Sequence, residues 1–148
     1  MNPQIDVKRA RFNMVEQQIR PWDVLDQQVL DLLFEVRREE FVPQQYRDLA
    51  FVDMQIPLGY GECMLAPKIE ARMLQALAIG PNDRVLEIGT GSGYMTALLA
   101  SQGGHVYSVD LIEEFVRTAG ERLSRHGITN VTLESGDAAR GWDRSEEH

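Results

Sequence analysis

Apolar positions recur at helical spacing through the first third of the chain and gather into short strand-like runs after residue 80. Residues 9–20 (RARFNMVEQQIR) predict a polar, weakly amphipathic helix that Pro21 ends, because proline lacks the backbone donor the next turn needs. Asp23 is read as the cap of a second helix, in which Leu25, Val29, Leu32, Leu33 and Val36 form a core-facing stripe. Pro43 interrupts the pattern, and Gln44 to Leu49 reads as a short helix. Phe51 to Leu65 (FVDMQIPLGYGECML) changes character and reads as extended segments joined by a turn at Gly59 and Gly61. Pro67 suits the first position of a third helix, PKIEARMLQALAI, with Ile69, Met73, Ala76 and Leu77 on one side.

From residue 80 the order becomes strand, helix, strand, helix, strand. The strands are Arg84 to Ile88, His105 to Asp110 and residues 130–137, and the helices are Tyr94 to Ala100 and Ile112 to Arg125. Gly103 and Gly104 close the first helix, and Gly127 lies just past the second. Strands alternating with helices of this length predict an α/β fold with a parallel sheet and right-handed crossovers. The chain thus divides into an N-terminal helical segment, 1–79, with its extended region at 51–65, and an α/β segment, 80–148. Residues 138–148 (AARGWDRSEEH) contain no strand or helix of useful length.

Composition narrows the class of partner. The 148 residues are 43% hydrophobic and 26% charged, enough apolar matter for a core and far from a disordered composition. Fifteen basic against 23 acidic residues give a formal charge of −8. That disfavours nucleic acid, whose binding needs a positive patch, and an anionic membrane surface for the same reason. No apolar run approaches a spanning helix and no apolar stretch follows the first basic residues, so neither a membrane span nor a signal peptide is expected. Cys63 is the only cysteine, which excludes an intrachain disulfide and a cysteine zinc cluster. A reducing cytoplasm is the simple reading, with Cys63 a buried, inert thiol. His105, His126 and His148 lack metal-ligand spacing, so no metal is expected, and Glu113–Glu114 and Glu146–Glu147 read as solvated faces.

The chemistry concentrates in Val85-Leu86-Glu87-Ile88-Gly89-Thr90-Gly91-Ser92-Gly93. A strand enters a loop of three glycines and a helix N-terminus follows, an arrangement that admits a ligand close to the backbone. The spacing is G-x-G-x-G, with Tyr94 where the dinucleotide fingerprint needs its third glycine, so a nicotinamide dinucleotide is disfavoured. Glu87, just before the loop, would repel a pyrophosphate and attract an ammonium group. Asp110 ends the next strand at the distance suited to two ribose hydroxyls, and Asp137 ends the third, where it can accept from an adenine amino group. Each acid alone reads equally as a helix cap. Three acids at three successive strand ends, with the loop, point to a nucleoside.

These residues resemble the S-adenosylmethionine-dependent methyltransferases, whose first motif is an acid-x-G-x-G-x-G loop. The likeness extends from about residue 11 to 142 and is strongest to the protein-L-isoaspartate O-methyltransferase family, through RFNMVEQQIR, VRREEFVP, Pro57-Leu58-Gly59 with Gly61, Ala66-Pro67, VLEIGTGSGY and Gly136-Asp137. The resemblance implies a Rossmann-like, doubly wound parallel sheet of the methyltransferase type, of which residues 80–148 are the first half. It places Glu87, Gly89, Thr90, Gly91 and Gly93 at the methionine part of the cofactor, Asp110 at the ribose, and Asp137 and Ala138 at the adenine, with Leu111 also among the cofactor-binding residues. It implies S-adenosyl-L-methionine as cofactor, S-adenosyl-L-homocysteine as product, and a protein or peptide acceptor methylated on an isoaspartyl carboxylate, as in protein repair.

Two departures stand out. The family reads G-Q-T-I-S-A-P where this chain has Gly61-Glu62-Cys63-Met64-Leu65-Ala66-Pro67, so Leu65 occupies the position of the family's active-site serine. A site built around a hydroxyl loses orders of magnitude without it, which opens the alternative of a non-catalytic cofactor-binding relative acting through protein interaction. The second departure is strand number: three strands against about seven. The resemblance then implies that the first strand, with its apolar Val85, Leu86 and Ile88, is central in a larger sheet. Residues 1–148 alone are therefore expected to self-associate through an exposed sheet edge.

Overall fold

The computed structural model describes residues 3–137, and the chain divides into two compact units, Met1–Ala78 and Ile79–His148. In the first, α1 (Pro3–Asn13) runs on through a π-helical turn, Met14–Ile19, and a 3-10 turn, Arg20–Trp22, that contains Pro21. The helix begins earlier than its polar text indicates. The wide π turn carries Met14, Val15 and Ile19 into the core.

α2 (Gln27–Glu35) buries Val29, Leu32 and Leu33, with Val36 behind them, but its start differs from expectation. Asp23 does not cap it: that residue is left-handed, at φ 63°, and closes the preceding turn. Asp26 is the cap, its carboxylate accepting from the Gln28 N–H at 2.9 Å. Leu25 consequently precedes the helix and is 72% exposed instead of joining the core stripe. Short 3-10 turns follow at Arg38–Phe41 and Gln44–Leu49. β1 (Ile56–Gly59) and β2 (Glu62–Met64) pair antiparallel, Ile56 against Met64 and Gly59 against Glu62. The Tyr60-Gly61 link has φ of 56° and 76°, the doubly positive backbone of a tight hairpin turn matched to strand twist. Cys63 lies exposed on β2, contrary to the buried thiol expected of a lone cysteine.

α3 (Pro67–Leu77) starts on its proline as anticipated, yet turns a different face inward. Glu70, Ala71 and Leu74 are buried, whereas Ile69, Met73 and Leu77 are exposed. The cause is Arg38, which has no solvent exposure and must place its donors inside the protein. Its Nε donates to the Ala50 carbonyl at 2.7 Å, Nη2 donates to the Leu65 carbonyl at 2.9 Å, and Nη1 pairs with the Glu70 carboxylate. A buried guanidinium that needs a carboxylate fixes the helix rotation more firmly than three aliphatic side chains do. The neighbouring polar face is also occupied. Gln75 Oε1 accepts from the Leu25 and Asp26 N–H groups, and Arg72 donates to the Trp22 carbonyl.

Burial pushes the Glu70 carboxyl above the usual carboxylate range, while the charge and hydrogen bond of Arg38 pull it back. The folded chain therefore holds a proton at Glu70 that the unfolded chain releases once pH exceeds the ordinary value of 4.5. This contribution to stability is fully present below that value and is lost as pH rises through the raised one. Denaturant midpoints measured from about pH 4 to about pH 7 should show that decline in the parent and a flatter profile in Glu70→Gln. Parallel profiles would show that Glu70 does not titrate in this window.

The second unit is β3 (Arg84–Ile88), α4 (Tyr94–Gln102), β4 (His105–Asp110), α5 (Glu113–Arg125) and β5 (Val131–Ser135). The strands are parallel in the order β3-β4-β5, with Glu87 beside Ser108 and Ser108 beside Leu133. Thr96 of α4 reaches Glu87, and Gly120 of α5 lies against Leu133, so both crossover helices cover the same sheet face. That is what two right-handed crossovers advancing in one direction must give. Among the described strands β3 is an edge, as expected of these residues taken alone, and its Leu86 and Ile88 are exposed. No helix among the described residues is long and apolar enough to cross a membrane.

Candidate functional site

The carboxyl ends of β3, β4 and β5 carry the residues singled out above. β3 passes into the glycine loop while Gly89 N–H still donates to the Val109 carbonyl at 2.7 Å, so the loop leaves the sheet as an extension of its hydrogen-bond ladder. Gly89, Gly91 and Gly93 have φ of 95°, 53° and 89°, backbone that other residues enter only with strain. At Gly89 an added Cβ would meet nothing within 4 Å, so the demand there comes from the backbone and not from crowding. Gly93 N–H donates to the Thr90 carbonyl at 3.0 Å and closes the turn. Ser92 Oγ accepts from the Tyr94 N–H at 3.1 Å at the start of α4, and Arg122 of α5 donates to the Ser92 carbonyl at 2.9 Å.

Asp110, at the end of β4, is half-buried and accepts on both carboxylate oxygens. Oδ2 takes the Gly91 N–H at 3.0 Å and Oδ1 the Ile112 N–H at 2.9 Å. Asp110 thus ties the glycine loop to the turn that leads into α5, and it does not cap that helix, whose N-cap residue is Ile112. A carboxylate has about four acceptor sites, so these two bonds orient the group without saturating it. Leu111, the next residue, is 71% exposed beside it. Asp137 follows β5 by two residues and is exposed, and Gly136 N–H donates to the Asp110 carbonyl at 2.9 Å. Ala138 lies outside the described residues.

Glu87 is half-buried on β3, on the face covered by α4. Its Oε1 accepts from the hydroxyls of Thr96 and of Ser108, the latter at 2.6 Å. Ser108 Oγ is in turn 2.6 Å from Thr90 Oγ1. Sequence reasoning passed over Ser108 and Thr96. Their signal was present: each is a lone hydroxyl at a position where alternation on β4, or the apolar run YMTALLA of α4, calls for an aliphatic side chain. Leu65 belongs to the first unit, half-buried between β2 and α3, and its placement there comes from the Arg38 bond to its carbonyl. His105 opens β4 and meets the Thr132 hydroxyl at 2.8 Å, a strand-end role. Among the described residues no group of His, Cys, Asp and Glu could hold a metal ion.

A parallel strand–glycine loop–helix unit of this kind, repeated by a second crossover, defines a Rossmann-like α/β class. Two solved structures share the backbone: a Plasmodium falciparum protein-L-isoaspartate O-methyltransferase in complex with S-adenosyl-L-homocysteine (TM-score 0.71, 18% identity, 95% of this chain and 67% of that one), and a second protein of that name (TM-score 0.74, 24% identity, 93% and 44%). At those identities they establish the fold. Residues 9–146 match the family model for protein-L-isoaspartate(D-aspartate) O-methyltransferase. The chain is 42% identical over 132 residues to protein-L-isoaspartate O-methyltransferase 2 of Anaeromyxobacter sp. (strain Fw109-5), covering 89% of this chain and 54% of that protein. It is also 42% identical over 129 residues to the Gloeobacter violaceus protein-L-isoaspartate O-methyltransferase, covering 87% and 63%. The chain belongs to the protein-L-isoaspartate O-methyltransferase family, and it spans a little over half the length of these relatives.

Proposed function

We propose that the chain binds S-adenosyl-L-methionine at the carboxyl ends of β3–β5 and takes part in methylating an isoaspartyl-type carboxylate on a protein or peptide. The observation that carries this reading is the joint placement of Glu87, the left-handed glycine loop and an Asp110 already tied to that loop. The donor chemistry fits. An ammonium, two vicinal hydroxyls and an exocyclic amine are all donors, and Glu87, Asp110 and Asp137 are acceptors at three strand ends. Gly89, Thr90, Gly91 and Gly93 would hold the methionine part, Leu111 would flank the ribose, and Ala138 would join Asp137 at the adenine.

The cofactor, when bound, supplies an electrophilic methyl group on a sulfonium. A carboxylate acceptor is already anionic, so no residue of this chain has to remove a proton. Its residues need only align the acceptor and exclude water. Held by these residues, the cofactor would supply that methyl to one carboxylate oxygen, with S-adenosyl-L-homocysteine as the leaving group and a methyl ester as the other product. The single cysteine agrees with a reducing cytoplasm as the setting.

Leu65 bears on turnover more than on binding. Isoaspartyl-peptide methylation by the parent should be slow, and Leu65→Ser should raise methyl-ester formation about tenfold or more, equivalent to roughly 1.4 kcal/mol of transition-state stabilisation. Both proteins should bind S-adenosyl-L-homocysteine alike in calorimetry. Brisk methylation by the parent would refute the argument from Leu65 and also dispose of the binding-only alternative. Absence of cofactor binding, or displacement of S-adenosyl-L-homocysteine by NADH, would refute the cofactor assignment.

A further inference from the structure

The chain of hydroxyls behind Glu87 has a direction. Ser108 Oγ donates to Glu87 Oε1, and a serine hydroxyl carries one proton. In the 2.6 Å contact between Ser108 and Thr90, the donor is therefore Thr90. The order runs from the glycine loop (Thr90) through the middle strand (Ser108) to the acid (Glu87), and Thr96 of α4 donates to the same carboxylate oxygen from the other side. Thr90, Ser108 and Thr96 are 3%, 0% and 0% exposed, so none can exchange its partner for water without opening the fold. An oxygen gripped from a strand and a helix together fixes the plane of the carboxylate, and with it the direction in which Oε2 points.

We propose that Ser108 and Thr96, with Thr90 behind them, are positioning residues that aim the Glu87 carboxylate at the ammonium of the cofactor's amino-acid moiety. This rests on the cofactor reading above and adds to it the groups that set the orientation of the acid. A carboxylate placed by two buried donors meets a cation without losing rotamer freedom on binding, whereas an unheld Glu must order itself at that moment. Three of the four elements that meet at the loop, β3, β4 and α4, supply a member of the network, so the geometry of the loop and the aim of the acid are set together.

The test compares two probes that share a nucleoside but differ at the far end. S-adenosyl-L-homocysteine carries the amino-acid group, and 5′-methylthioadenosine ends at a methyl. Ser108→Ala and Thr96→Val are each expected to weaken S-adenosyl-L-homocysteine about tenfold or more in calorimetry, the scale of one hydrogen bond to a charged group. Both should leave 5′-methylthioadenosine within about twofold of the parent, a difference near the noise of such measurements. Thr96→Ser, which keeps the hydroxyl, should retain the parent's affinity for both probes. Equal loss of both probes would show a merely structural role and overturn the proposal, as would unchanged S-adenosyl-L-homocysteine binding in Ser108→Ala and Thr96→Val. A parent that binds neither probe would refute the cofactor reading itself. A parent that binds while these variants show no selective loss refutes only the positioning role.

Discussion

Arg38→Ala is expected to cost roughly 3–5 kcal/mol of folding stability, the usual loss when one partner of a buried ion pair is removed. The guanidinium joins three segments of the first unit at once: the Ala50 carbonyl, the Leu65 carbonyl and the Glu70 carboxylate. Truncation leaves a carboxylate and two carbonyls short of their donor, in a protein whose whole stability is on the order of 5–15 kcal/mol. The loss should be larger near neutral pH than in acid. Burial already raises the Glu70 pKa, and a protonated Glu70 no longer needs the cation. Urea unfolding of Arg38→Ala, and of Arg38→Met combined with Glu70→Leu, measures the effect. The double variant should recover part of the loss, because it removes the unpaired carboxylate while the Ala50 and Leu65 carbonyls stay short of their donor. Equal losses in the two would mean that the bonds to Ala50 and Leu65, and not the ion pair, dominate.

Asp110→Ala is expected to weaken S-adenosyl-L-homocysteine by roughly 1–3 kcal/mol, about 5- to 150-fold, from the loss of hydrogen bonds to a charged acceptor. The same substitution removes the acceptor for Ile112 N–H at the start of α5 and for Gly91 N–H in the loop. About 1 kcal/mol of stability should go with each of those bonds. Asp110→Asn separates the two effects. Its amide oxygen can still accept one backbone N–H, while its amide nitrogen presents a donor where a hydroxyl needs an acceptor, so cofactor affinity should fall further than stability. Unchanged affinity in calorimetry for both variants would refute the ribose role.

The α/β half of the chain was legible to the residue in places. Arg84–Ile88 and His105–Asp110 are the strands their apolar text describes, and α5 starts one residue after the expected Ile112. Local chemistry suffices there: short apolar runs bounded by glycine and asparagine turns leave few alternatives, and positive φ at Gly89, Gly91 and Gly93 belongs to the residue type. The helical half was harder because several acids and several apolar residues competed for each role. Asp23 and Asp26 are equally good caps on paper, and only the backbone path after Trp22 selects Asp26.

What the sequence alone determined about this protein is its class: the parallel sheet, the loop, the acids at the strand ends and the family to which they belong. The tertiary structure decided which face of α3 is buried and what holds the acids in place. The buried Arg38 needed a carboxylate within reach, and Glu70 could supply it only by turning Ile69, Met73 and Leu77 outward. Asp110 serves the loop and the next helix together, and Glu87 is held by Ser108 and Thr96, 21 and 9 positions away along the chain. Periodicity records which side chains share a face of one element. It carries no information about a buried polar group on another element, and the cost of leaving such a group unpaired is what settled these positions.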